Sequence, residues 1–243
     1  MTTYQDQIFQ FGGAPISGVL NFPIMGGSAV TYFVDPAAGA DTNGGKKPRN
    51  AFDTVGKAYS KTTDKRGDVI YLLNDGNTSG TSREATIPIT WSNDNTHLIG
   101  CAAPAMISQR SRITPASGAA LTANPVITVS GHSNVFSNLQ IGHWGETDSI
   151  ASRGVDVTGN RNYFHNCHII GITHANVGDE ATAADLKITG EENLFENCYI
   201  GVDTVARSTT NANVELTSGA TRTIFRHCFF PAFADNAGAS KPT

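Results

Sequence analysis

The sequence predicts an all-β solenoid in which short strands of successive coils stack in parallel, and three observations lead to this fold class. Similar stretches recur every 28 to 31 residues. Glycine, with 25 residues, is enriched, and asparagine and threonine are plentiful, as in turn-rich β proteins. Amphipathic helical patterns are nearly absent outside the short stretch 51–59. Units of this period bury their apolar faces only against neighbouring units.

The repeat is carried by four stretches, at 127–142, 155–171, 186–201 and 214–230. Each begins with a V-x-V-like strand, as in Val155–Val157, which we expect to be closed by Thr-Gly. A second strand then points one phenylalanine into the core. These phenylalanines are separated by 28, 31 and 30 positions: Phe136, Phe164, Phe195 and Phe225.

An asparagine follows two residues after most of these phenylalanines and interrupts the alternation of apolar residues. In NYFHNCHIIG (162–171), for example, Phe164, Cys167 and Ile169 face the core, but the phase slips at Asn166. The slip predicts a corner, since asparagine tolerates left-handed backbone angles and bonds to nearby backbone. The predicted corner residues are Asn138, Asn166 and Asn197. The inward residues after the corner are Leu139, Cys167, Cys198 and Cys228, followed by Ile141, Ile169, Ile200 and Phe230.

Stacking of the coils places like residues on like residues, with strands about 4.8 Å apart. We therefore expect an asparagine ladder with amide hydrogen bonds and a phenylalanine column whose rings pack face to edge. The three aligned cysteines lack a C-x-x-C pair and have parallel Cβ directions, so neither a zinc site nor a disulfide is favoured. We predict that they are reduced and buried.

The corner pattern N-x-[FI]-x-N-[LC]-x-I resembles the asparagine-ladder turn of right-handed parallel β-helices of the pectate-lyase-like superfamily. The segment 32–76 is similar to the initial segment of many such proteins, through YFVDPAAGADTNG, AFDTVGKA and GDVIYL. The resemblance covers about residues 31–230. It implies a single-stranded right-handed parallel β-helix with a short N-terminal capping helix and an extended N-terminal arm, and it is specific for fold rather than for function.

Four segments follow from this organisation. Residues 1–30 form a glycine-interrupted apolar arm, 31–84 an initial strand, loop and capping helix, 85–231 the β-helix coils, and 232–243 a flexible or truncated tail. The arm is interpreted either as a strand lying along the solenoid or as an attachment and oligomerisation segment. Its candidate contact residues are Phe9, Phe11, Val19, Leu20, Phe22 and Ile24.

Three insertions, at 143–153, 172–185 and 202–213, fall at one position of successive coils and predict a ridge of loops. The ridge carries most of the candidate carboxylates: Glu146, Asp148, Asp179, Glu180, Asp185 and Asp203. A second set, Asp156, Lys187 and Glu215, shares an outward strand position. Cross-strand ion pairs explain this set best, and a general acid with its partner carboxylate is the alternative. No family catalytic motif is recognisable, so no catalytic residue is assigned. With Trp91 and Trp144 alone, the sequence is poor in tryptophan for sugar stacking.

Metal and cofactor sites find little support in the sequence. The histidines lie at no metal-binding spacing on one face: His97, His132, His143, His165, His168, His174 and His227. The oxygen-bearing side chains of Asp35, Asp41 and Asn43 suit either a calcium site or, with greater weight, a plain turn. Residues 39–45 lack the G-K-[ST] of a phosphate loop. We therefore predict no cofactor.

The functional prediction follows from charge and resemblance. The net charge of −4 and the absence of a Lys/Arg run give no electrostatic footprint for nucleic acid, and no signal peptide or long apolar run indicates a membrane. The protein is similar to bacteriophage spike and capsid-decoration proteins. This resemblance implies a virion structural protein, namely a capsid decoration, head spike or fibre protein. It would be made in the host cytoplasm, homotrimeric, and bound to capsid or other virion proteins through its arm. The alternative is a carbohydrate-binding or polysaccharide-degrading tailspike, a lyase or glycoside hydrolase, that contacts a host-surface glycan.

Overall fold

The computed structural model describes residues 28–73, 80–102, 107, 111–116, 125–144 and 151–234, and the backbone of 10–11 and 14–15. In the first half of the chain the strands are β1 (Gln10–Phe11), β2 (Ala14–Pro15), β3 (Thr31–Val34), β4 (Val69–Leu72), β5 (Thr81–Glu84), β6 (Ile89–Trp91), β7 (His97–Gly100), β8 (Arg112–Pro115), β9 (Pro125–Val129), β10 (Val135–Ser137) and β11 (Gln140–Gly142). In the second half they are β12 (Arg153–Val157), β13 (Tyr163–His165), β14 (His168–Ile170), β15 (Ala184–Ile188), β16 (Leu194–Glu196), β17 (Tyr199–Ile200), β18 (Ala206–Arg207), β19 (Ala212–Leu216), β20 (Ile224–Arg226) and β21 (Phe233–Ala234).

Three long parallel sheets contain most of these strands. The first sheet has the order β20-β16-β13-β10-β7-β4-β3, the second β17-β14-β11-β8-β5, and the third β19-β15-β12-β9-β6. From β4 onward the chain visits the three sheets in this sequence, coil after coil. The structure is therefore a parallel β-helix, as the repeat predicts.

Helices are short and few. A 3-10 helix spans Pro48–Asn50, α1 spans Val55–Tyr59 and α2 spans Ala175–Gly178. Within the described part of the chain, no helix is both long enough and apolar enough to cross a membrane.

The phenylalanine column forms in the predicted register. Phe136 pairs with Phe164, Phe164 with Phe195, and Phe195 with Phe225 across neighbouring strands of the first sheet. Their ring centroids are 4.7, 4.7 and 5.0 Å apart, and the ring planes differ by 9°, 8° and 16°. The expected face-to-edge packing is wrong for these rings, because parallel strands in register repeat one rotamer and stack the rings nearly parallel. Edge-on contacts occur at the two ends of the column, where Trp91 lies at 61° to Phe136 and Phe230 lies at 72° to Phe225.

The corners are left-handed, as the phase slip predicts. Asn138, Asn166 and Asn197 have φ values of 58°, 51° and 55°, and His227 takes the same position with 54°. The Nδ2 of Asn166 donates to the Oδ1 of Asn138 at 2.8 Å, which forms the expected amide ladder between those two coils.

The cysteine column is reduced. Cys167 and Cys198 are buried and Cys228 is half-buried, all without a disulfide. The thiol of Cys167 donates to the carbonyl of Phe136 and that of Cys198 to the carbonyl of Phe164, both at 3.5 Å. Burial raises the pKa of Cys198 far above the usual range. The thiols are therefore core groups that bond along the stack.

The N-terminal end of the solenoid is closed by α1, somewhat shorter than the predicted 51–59. Thr54 caps the helix by accepting from the backbone N–H of Lys57 at 3.2 Å. Val55 and Ala58 are buried in the main core. The ring of Tyr59 stacks on Trp91 with a centroid distance of 4.3 Å.

Two predicted segment boundaries differ from the structure. Strands β3, β4 and β5 already belong to the long sheets, so the β-helix begins before residue 85. The segment predicted as a flexible or truncated tail from residue 232 still contains a strand at Phe233–Ala234, because β21 pairs in parallel with β18. Both differences arise because the strands there depart from the V-x-V and Gly-x-x-Asn pattern of the later coils.

The C-terminal end of the solenoid has no such closure among the described residues. Strands β19 and β20 each end their sheet and pair on one side only. Five large apolar side chains there are 46–57% exposed: Leu216, Ile224, Phe229, Phe230 and Phe233. We call these five residues the open end.

Candidate functional site

A groove of about 290 Å³ lies on the outer face of the second sheet. The described residues that line it are Thr81, Arg83, Arg112, Thr114, Gln140 and Trp144. The parallel register places Thr81, Arg112 and Gln140 in one row across β5, β8 and β11. They alternate with core residues such as Ile113 and Ile141, and so face away from the core. We call this site the Trp144 groove.

The position of Trp144 depends on a glycine. A Cβ atom on Gly142 would lie 2.3 Å from the indole Nε1, so only glycine permits the indole to rest on the end of β11. The side chain is 42% exposed. The result is a flat aromatic surface at one side of the groove.

The amide of Gln140 is held in one orientation by His168. The Nε2 of His168 lies 3.0 Å from the carbonyl oxygen of Gly201, which can only accept, so this nitrogen carries the proton. Its Nδ1 therefore accepts from the Nε2 of Gln140, at 3.1 Å. Burial lowers the pKa of His168, which keeps the ring neutral. The neutral ring thus fixes the amide at the floor of the groove.

Two guanidinium groups line the groove. Arg83 is exposed and makes no ion pair with any described residue. Arg112 supplies a second guanidinium to the lining. The hydroxyl of Thr114 is buried and has no hydrogen-bond partner in the described part of the chain. An aromatic surface, guanidinium groups, an amide and a hydroxyl are thus combined in one concave site.

Sequence reasoning missed this groove. It counted two tryptophans against sugar binding, but Trp91 is in the core and Trp144 alone is exposed at a site. The row of Thr81, Arg112 and Gln140 comes from coils whose repeat is irregular, so no alignment of motifs revealed it. The available signal was the pair Gly142 and Trp144, in which a glycine makes room for an aromatic ring.

The predicted charge ladder forms on the third sheet. Asp156 is in register with Lys187, and Lys187 with Glu215. The Nζ of Lys187 lies 2.7 Å from Glu215, while Arg153, which sequence reasoning missed, lies 3.6 Å from Asp156 and 4.0 Å from Glu215. Burial raises the pKa of Asp156, against the opposing effects of the two cations. The charges compensate one another, as expected for cross-strand ion pairs.

A third concave region, of about 440 Å³, lies beside the N-terminus of α1 and contains Asp41 and Glu84. Glu84 accepts from the backbone N–H groups of Val55 and Gly56 at 3.0 and 3.1 Å. Asp41 accepts from the backbone of Asp53 and Thr54 at 2.9 and 3.0 Å. Both carboxylates therefore hold the start of the helix, where the macrodipole favours negative charge.

The hydrogen bonds favour the turn interpretation of Asp35, Asp41 and Asn43 over a calcium site. Asp35 accepts from the backbone of Ala37 and Ala38 at 3.1 and 3.2 Å, and Asn43 donates to the carbonyl of Ala51 at 2.8 Å. In the described ranges, no group of three His, Cys, Asp or Glu side chains is arranged to hold a metal ion.

The placement of Asp185 on the loop ridge is wrong. Asp185 lies in β15 and is fully buried, where it pairs with the fully buried Arg207 at 2.6 Å. Its Oδ1 also accepts from the backbone N–H of Gly171 and Ile172, at 2.8 and 3.1 Å. The pair fastens β18 to the coil beneath it. The other ridge acids, Asp179, Glu180 and Asp203, remain at the surface, while Glu146 and Asp148 lie outside the described residues.

The histidines are dispersed, and several bond to the backbone. His97 and His132 accept from the backbone N–H groups of Val135 and Asn160, at 3.1 and 2.9 Å. His174 caps α2 by accepting from Asn176 at 3.2 Å. The arm residues Phe9, Val19, Leu20, Phe22 and Ile24 lie outside the described residues, as does the side chain of Phe11.

The fold and these surfaces define a right-handed parallel β-helix protein with a pectate-lyase-like fold, and comparisons with solved structures agree. A rhamnogalacturonan lyase is similar with a TM-score of 0.53 and 15% identity, over 82% of this chain and 51% of the lyase. Identity at this level establishes the fold alone.

Two further solved structures are pectin methylesterases, each with a TM-score of 0.46. PemA from Erwinia chrysanthemi is 18% identical, over 80% of this chain and 66% of that protein. A pectin methylesterase variant in complex with a hexasaccharide is 20% identical, over 76% of this chain and 54% of that protein. The chain thus spans half to two thirds of the length of these structures. No protein-family profile matches the sequence, and no curated protein matches it significantly.

Proposed function

We propose that the protein binds a glycan whose sugar residues carry an anionic group, and that the Trp144 groove is the binding site. The observation that carries the proposal is the combination of the exposed indole of Trp144 with the exposed guanidinium of Arg83, which forms no ion pair with a described residue, in one groove. The similar solved structure with a TM-score of 0.53 is named a rhamnogalacturonan lyase, which is consistent with this class of ligand.

Each lining group has a defined role in such a complex. The apolar face of a sugar ring packs against the indole, as apolar surfaces pack on aromatic rings. The planar guanidinium of Arg83 donates two parallel hydrogen bonds to a carboxylate or sulfate, which is the bidentate geometry that arginine favours. The fixed amide of Gln140 and the hydroxyl of Thr114 bond to ring hydroxyls. The volume of about 290 Å³ suits one sugar residue in the site.

Binding to oligogalacturonate, measured by titration calorimetry against its neutral methyl ester, tests the proposal. We expect the acid form to bind and the ester to bind at least tenfold more weakly, a difference of about 1.4 kcal/mol. Trp144→Ala should weaken binding of both ligands. Arg83→Gln should weaken only that of the acid, since the arginine recognises the charge.

The matched control is Arg161→Gln, which removes an exposed arginine on another face. Its affinity should equal that of the unmodified protein. Equal binding by Trp144→Ala and the unmodified protein would contradict the location of the site. Equal binding of the acid and the ester would contradict the anionic class while leaving glycan binding intact.

A structural role in a virus particle is a second proposal, and the dry, repeated core supports it. Phe136, Phe164 and Phe195 of the phenylalanine column are fully buried, as are Cys167 and Cys198, and a core of this kind resists proteolysis. The proposal includes a homotrimer bound to capsid or other virion proteins. Co-purification with assembled particles at a fixed copy number supports it, and a protein that is found only free of particles contradicts it.

A further inference from the structure

We propose that the Trp144 groove selects acidic sugars that carry an acetamido group, whose N–H donates to the carbonyl oxygen of Gln140. The inference rests on the proposed function, since it names the class of glycan that the same groove binds. Its starting observation is the Oε1 atom of Gln140. This oxygen belongs to an amide that is held in one orientation, and it makes no hydrogen bond with any described residue.

A chain of hydrogen bonds away from the groove fixes the amide of Gln140. Its Nε2 donates to the Nδ1 of His168 at 3.1 Å, and the Nε2 of His168 donates to the carbonyl of Gly201 at 3.0 Å. The two side chains are in register across β11 and β14, and Tyr199 packs edge-on against the imidazole with centroids 5.0 Å apart. Turning the amide would break this chain, because an amide oxygen cannot donate to Nδ1. The oxygen is therefore the atom that remains for a ligand.

An oxygen that can only accept selects a ligand group that donates. A sugar hydroxyl donates or accepts, so it fits an amide in either orientation. The N–H of an acetamido group only donates, so it fits only the orientation found here. A protonated amino group also donates, but the guanidinium groups of Arg83 and Arg112 in the same lining repel a cation. The neutral acetamido group is thus the substituent that this oxygen distinguishes best.

The other lining groups lie where an acidic acetamido sugar needs them. Arg112 is next to Gln140 in register, one strand spacing of about 4.8 Å away, and Arg83 lies on the following strand, β5. One sugar ring can therefore place its acetamido group at Gln140 and its carboxylate at the guanidinium groups. The exposed indole of Trp144 rests over Gly142, two residues beyond Gln140 on β11, and offers an apolar surface to the acetamido methyl group.

The same chain of hydrogen bonds makes the selection dependent on pH. Protonation of His168 places a proton on Nδ1, which then needs an acceptor, so the amide turns and presents its Nε2 to the groove. An acetamido N–H finds no acceptor there, whereas a hydroxyl still bonds. Arg112 on β8 and Tyr199 on β17 lie around the ring, and burial, followed by the charge of Arg112, keeps the pKa of His168 below 6.5. The preference for the acetamido group is therefore present at neutral pH and is lost in acid.

Titration calorimetry with two matched pairs of methyl glycosides tests the inference. Each pair, galacto- or gluco-configured, compares a uronic acid with its counterpart in which an acetamido group replaces the 2-hydroxyl. At neutral pH, we expect the acetamido member to bind about tenfold more tightly in at least one configuration. Gln140→Met, which has a similar shape but no acceptor of this kind, should bring the ratio of affinities to about one. In the unmodified protein the ratio should fall as the pH is lowered below 6.5.

Tyr199→Phe keeps the ring beside His168 and removes a hydroxyl that does not line the groove, so this matched control should leave the ratio unchanged. Equal or tighter binding of the hydroxyl member in both configurations would overturn the inference. So would a ratio that survives in Gln140→Met or, should that variant not fold, a ratio that is independent of pH. Binding of oligogalacturonate without binding of the acetamido sugars would overturn this inference alone, whereas binding of neither would contradict the proposed function as well.

Discussion

The two ends of this solenoid differ in how the terminal coil, which has a neighbouring coil on one side only, is held in place. At the N-terminal end, α1 places Val55 and Ala58 over the first coil and closes the core with apolar contacts. At the C-terminal end, the described residues offer a polar solution: the buried pair of Asp185 and Arg207 fastens β18, and β18 pairs with β21. The difference shows that repeated coils build a core but do not cover its ends, so each end is stabilised by residues that lie outside the repeat.

Removal of the polar fastening should have the largest effect. Arg207→Ala leaves the carboxylate of Asp185 buried without its cation, and we expect a loss of about 3–5 kcal/mol in the free energy of unfolding. Chemical denaturation measures the loss. Arg222→Ala, which removes an exposed arginine paired with Glu191 and Glu192, should cost less than about 1 kcal/mol. Similar losses in the two variants would show that the buried pair is not a fastening.

Two phenylalanines of the column allow the stability of the middle of the solenoid to be compared with that of the open end. Phe195 is fully buried, and Phe195→Ala should lower the free energy of unfolding by about 3–5 kcal/mol. Phe225, one coil further, is only half-buried, so Phe225→Ala should cost less than half as much. Equal costs, measured in one denaturant series, would contradict the difference in burial between the two rings.

At the closed end, the helix cap should have a smaller effect. Thr54→Ala removes the acceptor for the backbone N–H of Lys57, and we expect a loss of about 1 kcal/mol. Thr90→Ala, at an exposed position on β6, is the matched control and should change the melting temperature little. A cap variant as stable as the control would contradict the closing role assigned to α1.

The smallest expected effect is a pH dependence at the same helix. Burial raises the pKa of Glu84 above its ordinary value of 4.5, so the native state binds this proton more tightly than the unfolded state. The contribution of Glu84 is therefore complete below pH 4.5 and is lost as the pH rises through its folded-state pKa. Glu84→Gln should remove this fall from the stability profile. An unchanged profile in the variant would contradict the raised pKa.

The sequence predicted whatever repeats and missed whatever occurs once. The columns of Phe, Asn and Cys could be predicted because parallel register carries one residue to the same place in every coil. Ring orientation could not, since it depends on the shared rotamer rather than on residue type. The pair of Asp185 and Arg207 is separated by 22 positions and joins β15 to β18, a strand outside the three long sheets, so no periodicity indicated it. The Trp144 groove likewise gathers residues from irregular coils.

The left-handed corners have a further consequence for how such a chain varies in length. Ser133, Arg161, Glu192 and Arg222 have positive φ values, and each precedes another left-handed residue by five positions. The segment between the two left-handed residues, which contains the strand of the first sheet, thus has the same length in all four coils. Insertions and deletions can accumulate only on the remaining arc, as the unequal spacing of 28, 31 and 30 residues records. Surface loops on that part of the coil can therefore change in length without moving any core side chain out of register with its neighbours in the stack.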